Sequence, residues 1–171
     1  KDMINKAKKD FFKVDILVNN AGVYGPKGVF EESNLDDWKN AFDINFYGSI
    51  LPIKYIIKHF KKNNYGKIIQ ISGGGATSPM PNFSSYASSK AAIVRFIETI
   101  SKEVDGYNID LNSIAPGALN TRMLDEVIDA GPQKVGKNFY NKMKKIKEKG
   151  GTDPNLAVKL IIYLSSPLSD G

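Results

Sequence analysis

Tyr86 and Lys90 stand four residues apart in the stretch Tyr86-Ala87-Ser88-Ser89-Lys90, a spacing that puts both on one face of a helix. A free phenol titrates near ~10 and is a poor base at neutral pH. An ammonium group held beside it favours the phenolate and draws that value down. A tyrosine tuned in this way can take a proton from an alcohol or give one to a carbonyl. Tyr140 and Lys144 repeat the same spacing by accident. Context selects Tyr86, which opens a helix directly after a strand and a loop and lies between two other glycine-bearing segments.

The elements that must position this pair are read from periodicity and turn signals. Residues 1–12 look like the tail of an amphipathic helix with Ile4, Ala7, Phe11 and Phe12 on its apolar side. Residues 14–19 form a short apolar run of the kind a buried parallel strand shows, followed by the turn Asn20-Ala21-Gly22. Residues 35–62 are helical, with Pro52 expected to kink or break the helix. Residues 66–72 are a second buried strand and 73–83 a loop rich in Gly, Ser and Pro. Residues 84–104 form a helix with Ser84 as its expected N-cap, and 109–115 a third strand ending at Pro116-Gly117. Residues 118–149 are strongly basic and irregular or helical. Residues 155–164 are a last helix, capped by Asp153 or Thr152 with Pro154 in its first turn. Alternation of helix and strand implies a single α/β domain, a doubly wound parallel sheet with helices on both faces. Ligands in such sheets sit beyond the carboxyl ends of the strands, here the loops 19–22, 72–75 and 115–117.

Composition narrows the partners. The net charge of +6 comes almost wholly from lysine scattered along helical segments, Lys54, Lys58, Lys61 and Lys62 and then Lys142, Lys144, Lys145 and Lys147. Scattered lysine marks a solvated face. Arginine, the usual reader of base edges, is nearly missing, so no nucleic-acid partner is expected. No apolar run is long enough to span a bilayer and no signal peptide is evident, so no membrane association is expected. Cysteine is absent and histidine occurs once. A cytoplasmic home is therefore expected and a protein-built zinc site is not. His59 is expected on an exposed helix face without a role. Gly73-Gly74-Gly75 is not a phosphate loop, because no Gly-Lys-Ser/Thr follows it.

Taken in order, four segments resemble the short-chain dehydrogenase/reductase family. Leu17-Val18-Asn19-Asn20-Ala21-Gly22 is similar to its strand-four motif, Asn45-Phe46-Tyr47-Gly48 to its Asn-x-x-Gly segment, and Tyr86 with Lys90 to its Tyr-x-x-x-Lys. Ile114-Ala115-Pro116-Gly117, with Thr121 after it, is similar to its Pro-Gly…Thr cofactor loop. The resemblance covers nearly the whole chain. It implies a Rossmann-type fold, represented by its middle and C-terminal part, and transfer of a hydride between NAD or NADP and a small-molecule carbonyl or alcohol. It further implies that Tyr86 is the acid/base, that Lys90 also bonds the nicotinamide ribose, and that Asn45 helps hold a proton-relay water. By the same resemblance Asn19, Ala21 and Gly22 lie against the adenosine side of the cofactor, while Pro116, Gly117, Leu119 and Thr121 meet its nicotinamide end. Residues 118–150 would be the variable substrate lid, with Phe139, Tyr140 and Met143 as its apolar lining. A homodimer or homotetramer pairing through helices 35–62 and 84–104 is implied as well.

The chain departs from that family at one position. A serine that hydrogen-bonds the reacting oxygen usually stands thirteen residues before the tyrosine, and here that residue is Gly73. Either Ser72 is swung into the site by a bulge, or another group (Thr77, Ser78 or a substrate hydroxyl) supplies the bond. The glycine-rich pyrophosphate turn of the family does not occur in the sequence and is expected to precede residue 1. Residues 1–171 alone are accordingly expected to bind NAD(P) poorly and to be unstable as a monomer. The competing expectation is a catalytically silent binding or regulatory protein on the same fold, which Gly73 favours and intact Asn45, Tyr86 and Lys90 oppose.

Overall fold

A computed structural model describes residues 2–11 and 13–170. Phe12, expected on the first helix's apolar side, lies outside the described residues. Three parallel strands, β1 (Ile16–Asn19), β2 (Gly66–Ile71) and β3 (Ile109–Ile114), are ordered β1-β2-β3. Leu17 stands opposite Ile68, and Ile68 opposite Leu111. The helices are α1 (Asp2–Asp10), α2 (Leu35–Phe42), α3 (Gly48–Asn63), α4 (Ser84–Glu103), α5 (Arg122–Val135), α6 (Lys137–Lys149) and α7 (Pro154–Ser165).

Side-chain alternation along β2 explains the layering. Ile68 points to one face, where Ile4 of α1, Ile53, Ile56 and Phe60 of α3 and Ile97 of α4 close over it. Ile69 and Ile71 point to the other, where Ile161 and Leu164 of α7 pack with Ile114. Helices therefore cover both faces of a parallel sheet, the Rossmann-type arrangement expected. A third cluster lies past the carboxyl ends of the strands. There Leu124, Val127 and Val135 of α5 and Met143 of α6 pack on Phe83 and Tyr86.

Several local expectations need correction. β1 starts at Ile16, not at residue 14. The Val14 carbonyl is 3.1 Å from the His59 ring nitrogen, so this residue is tied to α3 instead of the ladder, and His59 is half-buried rather than idle on the surface. Pro52 does not break its helix and lies inside α3. The interruption comes a turn earlier, at Asp43–Tyr47, a π-helical turn in which the Gly48 N–H reaches back to the Asp43 carbonyl. Such single turns insert one extra residue and often mark functional sites. Ser84 does not cap α4. Phe83 occupies that position with no side-chain cap, and the Ser84 hydroxyl instead accepts from the Trp38 indole at 3.0 Å. At α7 the two candidates resolve to Asp153, whose carboxylate accepts from the Asn155 N–H.

Candidate active site

Tyr86 lies in the first turn of α4 and is therefore held at the carboxyl edge of the sheet. Side chains of a helix lean toward its N-terminus, so Lys90, one turn on, reaches back to the same place. Tyr86 is 7% exposed and Lys90 4%. The Lys90 ammonium donates to the carbonyl of Ile71, the last residue of β2, at 3.0 Å, and sits 5.8 Å from the centre of the Tyr86 ring. Tyr140 and Lys144, the accidental repeat, do not border this place, and Lys144 faces Glu148 instead.

The expected depression of the Tyr86 pKa is not found. Burial, with a smaller contribution from Tyr24, pushes the phenol up to about 12, and burial pulls Lys90 down to about 8. The ammonium is directed at a backbone carbonyl and lies over the ring rather than at the hydroxyl, so desolvation dominates. Tyr86 is a neutral phenol here, the form that donates a proton.

Asn45 is carried inward by the π-helical turn and is fully buried. Its amide oxygen accepts from the Val23 N–H at 2.8 Å. Its amide nitrogen donates to the Val23 carbonyl and to the Ser89 hydroxyl, each at 2.9 Å. Asn45 thus clamps the backbone after the Asn20-Ala21-Gly22 turn against α4. A β-carbon at Gly22 would lie 3.3 Å from both the Asn45 amide oxygen and the Lys90 ammonium, so a larger residue there would crowd both groups. The Asn19 amide is committed elsewhere, donating to the Ser49 carbonyl at 3.0 Å, where it ties β1 to α3.

A cavity of about 1160 Å³ opens over Tyr86 and Lys90, bounded by the loops after all three strands and by α5 and α6. Of the residues expected at a cofactor, Ala21, Gly22, Pro116, Gly117, Leu119 and Thr121 border it, while Asn19 does not. Phe139 and Met143 form part of its apolar wall, and Tyr140 packs behind them. Gly117 has φ +83°, a conformation that favours glycine, and a β-carbon there would press on Thr152. Asn20 and Tyr24 border the cavity and were not singled out in the sequence. Tyr24 carried a readable signal, an aromatic just past a glycine turn at a strand's carboxyl end.

Gly73 has a steric reason. A β-carbon at this position would overlap the Tyr86 phenol oxygen and lie 3.1 Å from its ring carbon Cζ. The phenol occupies the space that any side chain at 73 would need. Ser72 is not bulged, because its N–H extends the ladder to the Ile114 carbonyl at 2.7 Å. It borders the cavity, but its hydroxyl oxygen is enclosed and unpartnered. Thr77 and Ser78 do not border the cavity.

Comparison with known proteins identifies the family. Residues 1–131 match the family model described as short chain dehydrogenase. An uncharacterised oxidoreductase of Schizosaccharomyces pombe is 32% identical over 153 residues, which are 88% of this chain and 60% of that protein. The chain thus spans less than two thirds of that relative's length. The crystal structure of an NAD+-bound xylitol dehydrogenase superposes over 98% of this chain and 68% of that one, with TM-score 0.86 and 24% identity, a likeness of fold. ElxO, solved with NADP bound, superposes over 76% of this chain and 52% of that one, with TM-score 0.70 and 33% identity.

Proposed function

Given that the chain belongs to the short-chain dehydrogenase family, we propose that the complete protein is an NAD(P)-dependent oxidoreductase interconverting a carbonyl compound and its alcohol. One observation carries this reading: Tyr86 and Lys90 are buried side by side beneath a large cavity at the carboxyl ends of three parallel strands, and the phenol has no protein hydrogen-bond partner among the described residues. Ligands of open α/β sheets bind at this edge.

The residues fit the nicotinamide end of the cofactor. The left-handed Gly117 and the buried Lys90 ammonium form a close-approach wall with one positive charge, and Gly22, expected on the adenosine side, lies tight against that ammonium. When bound, NAD(P) supplies the hydride donor or acceptor. The chain's own residues manage the proton. In reduction, the neutral Tyr86 hydroxyl gives its proton to the carbonyl oxygen as that oxygen gains charge. The phenolate left behind is stabilised by the Lys90 ammonium, whose charge is retained below its pKa of about 8. In oxidation the phenolate takes the alcohol proton. Asn45 acts by holding the Val23 loop and α4 together around this pair, and Ser72 contributes to the cavity wall. Asn19, Ala21, Pro116, Leu119 and Thr121 complete the cofactor side, Asn19 through its tie to α3.

Residues 1–171 form one Rossmann-type unit in this reading, with 118–150 as the lid that selects the substrate. Ala118 and Thr152 are joined by a backbone hydrogen bond of 2.9 Å, so both ends of that segment meet at one point. Pairing of two or four copies through residues 35–62 and 84–104 belongs to this reading, and exposed Leu35 of α2, Tyr47 of the π-helical turn and Leu51 of α3 support the first of these segments. No helix among the described residues is long and apolar enough to cross a membrane. A cytoplasmic location is our reading from that fact and the absence of cysteine. The test is oxidation of NADH and NADPH by the full-length protein across a carbonyl panel. Activity that Tyr86→Phe abolishes supports the proposal. A folded protein inert across the panel, or a Tyr86→Phe variant as active as wild type, refutes it and favours a silent binding protein.

A further inference from the structure

Protonation of a carbonyl by one donor leaves the oxygen's second lone pair to be satisfied, and the residue at 73 cannot do it. Any side chain there would overlap the Tyr86 phenol oxygen. The Ser72 hydroxyl is enclosed and does not open onto the cavity. Besides Tyr86 and Ser72, the side-chain hydroxyls bordering the cavity belong to Thr121, on the loop before α5, and to Tyr24.

Tyr24 is placed against the proton donor. Its ring meets the Tyr86 ring edge-on, with centroids 4.8 Å apart, and the Phe83 ring at 5.1 Å. The Asn45 amide grips both the N–H and the C=O of Val23, the preceding residue. Gly25, the following residue, has φ +70° and packs so tightly that a β-carbon would overlap Ala41. Tyr24 is therefore fixed from both sides by backbone. Like Tyr86, its phenol has no hydrogen-bond partner among the described residues, so two unpaired phenols face one cavity. Burial and then the Glu126 carboxylate raise the Tyr24 pKa, which keeps it a donor.

We infer that Tyr24 is a second catalytic phenol, which hydrogen-bonds the substrate oxygen alongside Tyr86 and takes the role of the hydroxyl that position 73 cannot carry. This rests on the oxidoreductase reading above. Only the Tyr86 proton is transferred. Tyr24 keeps its own and stabilises charge on the oxygen as the carbon is reduced.

The test uses the full-length protein and a carbonyl compound that it reduces. Tyr24→Phe keeps the ring and removes the hydroxyl. It is expected to lower kcat by roughly a hundredfold, the scale of one lost oxyanion donor. The KM for NAD(P)H should stay within about twofold, as fits an interaction made in the transition state rather than at the cofactor. Ser72→Ala, measured beside it, should cost less. A Tyr24→Phe kcat within about threefold of wild type, a loss carried by the KM for NAD(P)H instead of kcat, or a greater loss in Ser72→Ala overturns the inference. Any of these in an enzyme that still requires Tyr86 leaves the oxidoreductase reading intact, whereas inertness of the wild type across the panel removes both.

Discussion

Two lysines are buried at opposite ends of the central strand, and their surroundings differ in kind. Lys67, at the start of β2, is 1% exposed. It meets Asp110 at 2.7 Å, Asp170 at 2.6 Å and the Ser169 hydroxyl at 2.9 Å. Burial lowers its pKa, but hydrogen bonds and the charges of the two aspartates outweigh burial, and the net direction is upward. Lys90, beyond the other end, is buried nearly as deeply and has one neutral acceptor, the Ile71 carbonyl. Nothing offsets its desolvation, and its pKa falls to about 8. A buried charge costs free energy unless it is paired. Lys67 is compensated and pins the 167–170 segment to the sheet. Lys90 is uncompensated, and such groups cluster where chemistry is done. The carboxyl end of the sheet thus holds a cost that the amino end has removed.

Substitutions sharpen this contrast. The largest effect is expected at the proton donor: Tyr86→Phe should lower kcat roughly a thousandfold, within the span of general acid catalysis, with little change in thermal unfolding. At the compensated end the effect is on stability instead. Lys67→Met should destabilise by roughly 2 kcal/mol, less than for a fully buried pair because both aspartates are part-solvated, and urea unfolding would read it. Activity of the remaining folded molecules should be normal, and a catalytic defect would break the contrast. Gly73→Ser restores the family residue but forces the phenol aside, so it should lower kcat by roughly tenfold. A gain in rate would show that the space at Gly73 is not set by Tyr86.

Much of this site was legible in the sequence because its signals are local. Apolar runs mark β1 and β2, the glycine turns mark the strand ends, and the spacing of Tyr86 and Lys90 marks a shared helix face. What was not legible depends on contacts between distant segments. The π-helical turn at Asp43–Tyr47 exists where Asn45 grips Val23 and Ser89, 22 and 44 residues away in sequence, and no local propensity encodes it. The kink or break expected at Pro52 has its counterpart at that turn instead, which local sequence does not mark. The upward pKa of Tyr86 was missed because i, i+4 spacing fixes a shared face but not where the ammonium points. Tyr24 and Lys67 were passed over, though a lysine within an apolar strand run is a signal that buried acids must be near.

Lys90 is held as a charge without a counter-charge. Its sign follows from linkage. A lysine whose pKa is lowered on folding weakens the native state while charged, and that cost is relieved as pH rises through about 8 toward the unfolded value near ~10.4. The most direct measurement is the unfolding free energy of full-length wild type and Lys90→Met, without nucleotide, from pH 7 to 10. The wild type should gain stability relative to the variant across that range, by up to about 3 kcal/mol, while the variant has lost its activity. Parallel curves, or a wild type that loses stability relative to Lys90→Met as pH rises, would mean that Lys90 is not held as an uncompensated charge.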